Sequence, residues 1–286
     1  MAAPEAAAAP EAAAAPEVTA APEVTGEAAA SAAEAVDVTV IIPARNSNPD
    51  ILRTFDLIRA GLDGHSFEVL VVVEDRMPGP VLSDTRTYAT MTDIRFQAHP
   101  LNGDKAAAVR YGMERARGRV VGFMDVDMGI EAEPEHLRTI AEAVLNGETD
   151  CAIPDRDQRE WAWIRKAKTN YFAAAARWLF RLPVRDTQGA MKFMSADAAG
   201  TALRFCAFKG WEFDVELLWV LKITGFRIRP YPVWWVGRGG EVQWVSALLI
   251  LTMGTGMVKN LVAVRLRTLF TRRRILREWR ATLPVA

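Results

Sequence analysis

Two carboxylates separated by one residue, Asp125 and Asp127, stand at the end of the apolar run 120–124. A strand made from such a run is buried and carries the acids to its own C-terminal edge, where open α/β sheets hold their ligands. Side chains alternate along an extended segment, so both acids are expected on one side, a hard-oxygen pair suited to a divalent cation. The natural partner of such a cation is a diphosphate. The alternative is a pair of solvated loop-end acids, and the neighbouring residues decide between the two.

Those neighbours carry matching chemistry. Lys105 falls in the first turn of a helix that follows Asn102, Gly103 and Asp104, where the helix dipole favours anions. An external anion is therefore expected to answer it, an ordinary exposed lysine being the alternative. The short apolar segment 152–154 delivers Asp155 and Arg156 towards the same edge. The polar stretch 185–190, with its glycine, precedes a further apolar run, as a site loop between elements does. Glu212, Asp214 and Glu216 alternate on entry to a helix; Glu212 and Glu216 share one face there, and Asp214 points elsewhere.

The elements that must position these residues follow from hydrophobic period. Residues 38–42 form a β-branched run closed by Pro43, and 67–73 form a second that ends in Glu74 and Asp75. Between them Asn48 and Pro49 start a helix with Ile51, Leu52, Phe55 and Ile58 inward, which stops at Gly61. A less patterned stretch around Ile94 and Phe96 leads to a helix with Ala106, Val109, Met113 and Ala116 at helical spacing, ended by Gly118. Pro134 opens another helix, with Leu137, Ile140, Ala141 and Val144 inward. Residues 161–180 read as a long amphipathic helix whose core face holds Trp161, Ile164, Tyr171, Phe172 and Leu179. A helix begins near Ser195, and residues 226–236 resemble an edge strand. Alternating strands and helices imply an α/β fold with a mostly parallel sheet covered on both faces. Right-handed crossovers bring the strand ends to one crevice.

Half of the 286 residues are apolar, enough for a sizeable core, and 35 basic residues balance 35 acidic ones. The balance hides opposite ends. Residues 1–37 repeat Ala-Pro-Glu, with Pro4, Pro10, Pro16 and Pro22 at regular spacing, and read as a disordered acidic tail or a docking arm for a basic partner. With no basic residue and no compact apolar core they do not form a signal peptide, so a cytoplasmic start is expected. Cys151 and Cys206 lack any zinc spacing and suit a reducing compartment. From 242 to 258 no charge occurs, and Lys259, Arg265, Arg267, Arg272, Arg273 and Arg274 follow. This pattern suits an interfacial helix on an anionic lipid surface; a core helix with a solvated basic tail is the alternative. Nucleic acid is not expected, because no stacking aromatics alternate with the arginines.

Taken in order, Pro43, Ala44, Arg45 and Asn46, then Glu74 and Asp75, Lys105 after Asn102-Gly-Asp, Asp125 and Asp127, Asp186-Thr-Gln188 with Lys192, and 213–217 resemble the family 2 glycosyltransferases. Within that family they are most similar to the dolichyl-phosphate glucosyltransferase and mannose synthase group. The resemblance covers 38–236, with the two tails, 1–37 and 237–286, outside it. It implies a GT-A fold, a nucleotide-sugar donor (UDP-glucose ahead of GDP-mannose), inversion at the anomeric carbon, a polyprenyl-phosphate acceptor, and work at the cytoplasmic face of a membrane. By position it implies that Pro43, Ala44, Arg45, Glu74, Asp75, Lys105, Asp125 and Val126 line the nucleotide sugar. Asp125 and Asp127 would hold Mg²⁺ or Mn²⁺, and Arg156, Gln188 and Lys192 would face the acceptor phosphate. Asp186 and Asp214 are the candidates for a general base if the acceptor needs one. Arg45 and Ser47 stand where the family usually carries Tyr and Glu, which leaves the base and sugar open. Gln158 and Trp161 do not complete the Gln-x-x-Arg-Trp of processive synthases, so a single transfer is expected. Transfer to a soluble or other lipid hydroxyl acceptor, and a nucleotide-sugar-binding protein without turnover, are the competing expectations.

Overall fold

The computed structural model describes residues 35–44, 51–74, 94–99, 104–128, 132–156, 163–210, 212–233 and 247–282. Seven strands form one sheet: β1 (Val36–Ala44), β2 (Phe67–Glu74), β3 (Ile94–His99), β4 (Gly118–Met124), β5 (Cys151–Arg156), β6 (Met191–Ser195) and β7 (Ile228–Val233). Their order is β3-β2-β1-β4-β6-β5-β7. β6 runs antiparallel to β4 and β5, and the other pairings are parallel. From β1 the sheet grows one way through β2 and β3 and the other way from β4. The boundary between β1 and β4 is therefore the switch point at which open α/β sheets leave a crevice.

The described helices are α1 (Ile51–Gly61), α2 (Lys105–Met113), α3 (Pro134–Leu145), α4 (Trp163–Phe180), α5 (Ala196–Phe205), α6 (Phe213–Ile223) and α7 (Ala247–Arg280). Strand side chains alternate between two cores. Val40, Ile42, Val71 and Met124 pack with Phe55 and Ile58 of α1 and Leu137 and Ile140 of α3. Ile41, Leu70, Val121 and Phe123 pack on the other face with Val109 of α2, Phe172 of α4, Ala198 of α5 and Leu217 of α6. Leu261, Val264 and Ile275 bring α7 into this second core. Both cysteines are buried free thiols, and burial pushes the Cys151 thiol up to about 12.

Several sequence expectations are corrected. β1 starts at Val36, because Asp37 is tied in by Ser66 and Arg119, so the folded part begins before 38. Residues 1–34 of the expected tail lie outside the described residues, as do Asn48 and Pro49. The stretch at Ile94 is an edge strand, paired with β2. α2 ends at Met113 with Glu114 as its C-cap, and Gly118 opens β4, where a Cβ would meet the Thr39 amide nitrogen at 2.4 Å. Leu52 and Tyr171, expected in the core, are exposed. α7 is one 34-residue helix that runs from the uncharged stretch into the basic one. No helix among the described residues is long and apolar enough to cross a membrane.

Candidate active site

The crevice at the switch point is built from the ends of β4 and β5, the start of α2, the loop into β6, and the start of α6. Asp125 follows the last residue of β4. The chain then turns, with the Met128 N–H donating to the Asp125 carbonyl at 3.3 Å, so Asp125 and Asp127 do not owe their placement to strand alternation. The turn is held from both sides. Thr54 of α1 donates its hydroxyl to the Val126 carbonyl at 2.8 Å, and the Asp125 N–H donates to the Ala190 carbonyl at 3.1 Å. Asp125, Val126 and Asp127 all stay half-buried.

Asp104 caps α2 by accepting from the Ala107 N–H at 3.1 Å, and it also accepts from the Gly210 N–H at 2.6 Å. This fixes the first turn, from which Lys105 Nζ reaches to 2.5 Å from Asp125 Oδ1. Within the chain, Asp125 is thus the partner that Lys105 meets. Burial works against the Lys105 charge, but Asp125, then Asp214 and Asp127, outweigh it and hold its pKa above the usual lysine range.

Lys192 lies opposite Phe123 in the β4–β6 register and is fully buried. Its Nζ donates to the Gly189 carbonyl at 2.8 Å and sits 2.8 Å from Asp214 Oδ1. The sequence expectation that Lys192 faces an acceptor is therefore corrected: it is an internal cation that positions Asp214. Lys105 and Lys192 lie 5.9 Å and 5.4 Å from the centroid of the Phe123 ring. Phe213 packs against that ring at 5.8 Å. Acid and base thus alternate across one aromatic platform, from Asp125 through Lys105 and Asp214 to Lys192.

The loop 185–190 joins these parts. Asp186, buried, takes the Arg156 guanidinium at the end of β5 with both carboxylate oxygens, the Nη2 contact being 3.0 Å, and its Oδ1 also accepts from the Gln188 N–H at 3.1 Å. Gly189 and Ala190 supply the carbonyls for Lys192 and Asp125. A Cβ on Gly189 would meet Pro154 of β5 at 2.4 Å, so only glycine lets the loop lie this close. The Thr187 hydroxyl is buried without a hydrogen-bond partner among the described residues.

The three acids around α6 separate cleanly. Asp214 faces the site, while buried Glu216 turns to α7, with Oε2 2.9 Å from Arg267 and accepting from the Ala207 N–H at 3.2 Å. Desolvation raises the Glu216 pKa despite that partner. Glu212 stands at the N-cap. Pro43 and Ala44 close β1 beside this crevice, and Glu74 closes β2. Arg45 and Asp75 lie outside the described residues. Phe123 and Thr187 were missed as site residues in the sequence; Phe123 reads there as one more apolar strand position.

The donor set suits a hard divalent cation that takes only one or two carboxylates from protein and completes its shell with phosphate and water. Asp125 and Asp127 are such a pair, and no group of three or more possible ligands occurs among the described residues.

Residues 39–205, more than half of the chain, match the model of Glycosyl transferase family 2. The glycosyltransferase AglD of Haloferax volcanii is 28% identical over 256 residues, covering 86% of this chain, which spans only 40% of that protein's length. The dolichyl-phosphate β-glucosyltransferase of Drosophila melanogaster is 25% identical over 252 residues, 75% of this chain and 76% of that one. Among solved structures, glucosyl-3-phosphoglycerate synthase from Mycobacterium tuberculosis with Mn²⁺, UDP and phosphoglyceric acid superposes with a TM-score of 0.59 at 17% identity, over 81% of this chain and 78% of that chain. This likeness bears on the fold, which is that of the GT-A glycosyltransferases. The chain belongs to glycosyltransferase family 2.

Proposed function

We propose that this chain transfers one hexose, glucose in the favoured form, from a nucleoside diphosphate sugar to a polyprenyl phosphate at the cytoplasmic face of a membrane, with inversion. UDP-glucose is the preferred donor and GDP-mannose the second. The observation that carries the reading is the state of the two candidate bases. Asp186 is occupied by Arg156 through both oxygens, and Asp214 sits against Lys192. An acceptor hydroxyl needs a carboxylate to take its proton, whereas a phosphate monoester is ionised near neutral pH and attacks without one. The name of the Drosophila relative, a dolichyl-phosphate glucosyltransferase, supports the same acceptor.

In this reading Lys105 holds the donor diphosphate at the first turn of α2 and keeps Asp125 in place beside it. Pro43, Ala44 and Val126 form the floor at the ends of β1 and β4, with Arg45, Glu74 and Asp75 around the nucleotide. Asp125 and Asp127 would hold Mg²⁺ or Mn²⁺, which when bound offsets charge on the departing diphosphate. Arg156 and Gln188 bear on the acceptor phosphate, with Asp186 fixing the plane of the guanidinium. Lys192 acts through Asp214 and not by contact.

Labelled UDP-glucose and GDP-mannose should be offered in parallel to a polyprenyl phosphate and to soluble hydroxyl acceptors. Label entering the organic phase from UDP-glucose is the expected result. Transfer only to a hydroxyl acceptor contradicts the lipid assignment, and tight nucleotide binding with no transfer favours a binding protein.

A further inference from the structure

α4 and α7 leave an unbalanced face away from the crevice. Arg177, Trp178, Leu179 and Arg181 at the end of α4 and Arg265 of α7 line a cavity of about 620 Å³. It has no carboxylate in its lining, and no acidic residue pairs with these three arginines among the described residues. The carbonyls at the end of α4 do not account for the charge, because Lys222 already donates to those of Phe180 and Arg181. The Lys222 pKa is itself lowered, by desolvation first and then by Arg181 and Arg265. Arg181 holds a left-handed backbone, φ 51°, which an arginine adopts at some cost.

Trp178 and Leu179 add an aromatic and an apolar side chain to this lining. Trp178 is 80% exposed, and Tyr171, two turns earlier on α4, is 62% exposed. On α7 the buried positions Leu261, Val264, Thr268 and Ile275 define the inner face. The opposite stripe exposes Val262, Leu266, Leu269 and Phe270, the last at 85%. Arg273 and Arg277 continue it at helical spacing. Exposed Trp and Tyr beside apolar side chains and arginines form the composition of a membrane–water interface.

We propose that the Arg177–Arg181–Arg265 cavity binds the phosphate of an anionic phospholipid headgroup while Trp178 and the Leu266–Phe270 stripe enter the interfacial layer of the bilayer. The site lies on other elements than those of the proposed acceptor contacts, and it gives α4 a part in membrane binding that the sequence assigned to the C-terminal segment alone. It builds on the membrane setting of the proposed function but does not need the acceptor to be a lipid.

Flotation of the full chain with phosphatidylcholine vesicles, with and without phosphatidylglycerol, tests it. The wild type is expected to float with the anionic vesicles. The Arg177→Gln/Arg181→Gln/Arg265→Gln variant should lose binding by about fivefold per arginine, on the order of a hundredfold in all. Equal flotation of that variant, or no flotation of the wild type, overturns the proposal. Inorganic phosphate at constant ionic strength should compete with the headgroup and release the wild type; a wild type that binds inorganic phosphate yet does not float has a free phosphate as its ligand, which overturns the lipid source. If the triple variant melts early, Trp178→Phe decides: bromine-labelled phosphatidylglycerol should quench less tryptophan emission in it than in the wild type, and equal quenching contradicts the proposal. Turnover on a detergent-dispersed short prenyl phosphate should survive the triple substitution. Absence of transfer in both proteins, with the flotation difference intact, would sink the acceptor reading and leave this one standing.

Discussion

The two ends of the sheet hold charge in opposite ways. At the N-terminal end, buried Glu68 of β2 accepts from the Thr39 hydroxyl at 2.7 Å, from the Arg117 N–H at 2.9 Å and from Arg117 Nε at 2.9 Å, and Arg95 adds a further contact. Thr39 Oγ1 in turn accepts from the Gly118 N–H at 2.8 Å. Burial alone would raise the Glu68 carboxyl, but the Thr39 and Arg117 donors reverse it and hold it below the ordinary range. At the C-terminal end, Asp125 keeps 38% of its side-chain surface open and Lys105 27%. Both ends join neighbouring elements through acid–base contacts. One is closed and fastens β1, β2, β3 and the start of β4; the other leaves carboxylate turned to the crevice, where a ligand can complete it.

Substitutions can break or sharpen this contrast. The largest stability effect is expected from Lys192→Ala, a site residue that behaves as a core one. It strands Asp214 in a buried setting, at a cost of about 3–5 kcal/mol. Thermal melting checks it, and a loss below about 1 kcal/mol would mean that Lys192 is not structural. Glu68→Gln should cost roughly 2–3 kcal/mol, lowering Tm while leaving kcat per folded molecule unchanged.

The same carboxylate sets a pH dependence. Its folded pKa lies below its unfolded value, near 4.5, so its stabilisation is complete above that value. It is lost as pH falls through the lower, folded one. Acid melts should therefore converge for wild type and Glu68→Gln, and a gap that persists at the lowest pH contradicts the assignment. The smallest effect is expected from Lys105→Ala. Donor KM should rise about tenfold with kcat little changed if the contact is uniform between ground and transition states. A fall in kcat alone would place Lys105 on the transition state.

Much of the sheet was legible because buried strands leave continuous β-branched runs, as at 38–42 and 67–73. The carboxylates at the end of β4 were legible for the same reason, although a turn and not alternation sets them. β3 was missed because an edge strand buries little and shows a weak pattern. Lys192 was misread as ligand-facing, since its partner Asp214 is 22 residues away and only the antiparallel pairing of β6 with β4 brings Phe123 between the two lysines. Its signal was present: a lysine flanked by Met191 and Phe193 in an apolar run is buried only if paired. The exposure of Tyr171 is not legible in the sequence, because helical period gives a face but not its neighbour.

The most direct measurement is hexose transfer by wild type and Asp127→Asn, with and without a metal chelator, alongside the melting temperature of each. The expected result is transfer by the wild type that the chelator abolishes, and a loss of about a thousandfold in the variant at unchanged melting temperature. Near-native transfer by Asp127→Asn with metal chelated would contradict the account, because the half-buried carboxylates at the end of β4 would then have no part in the chemistry.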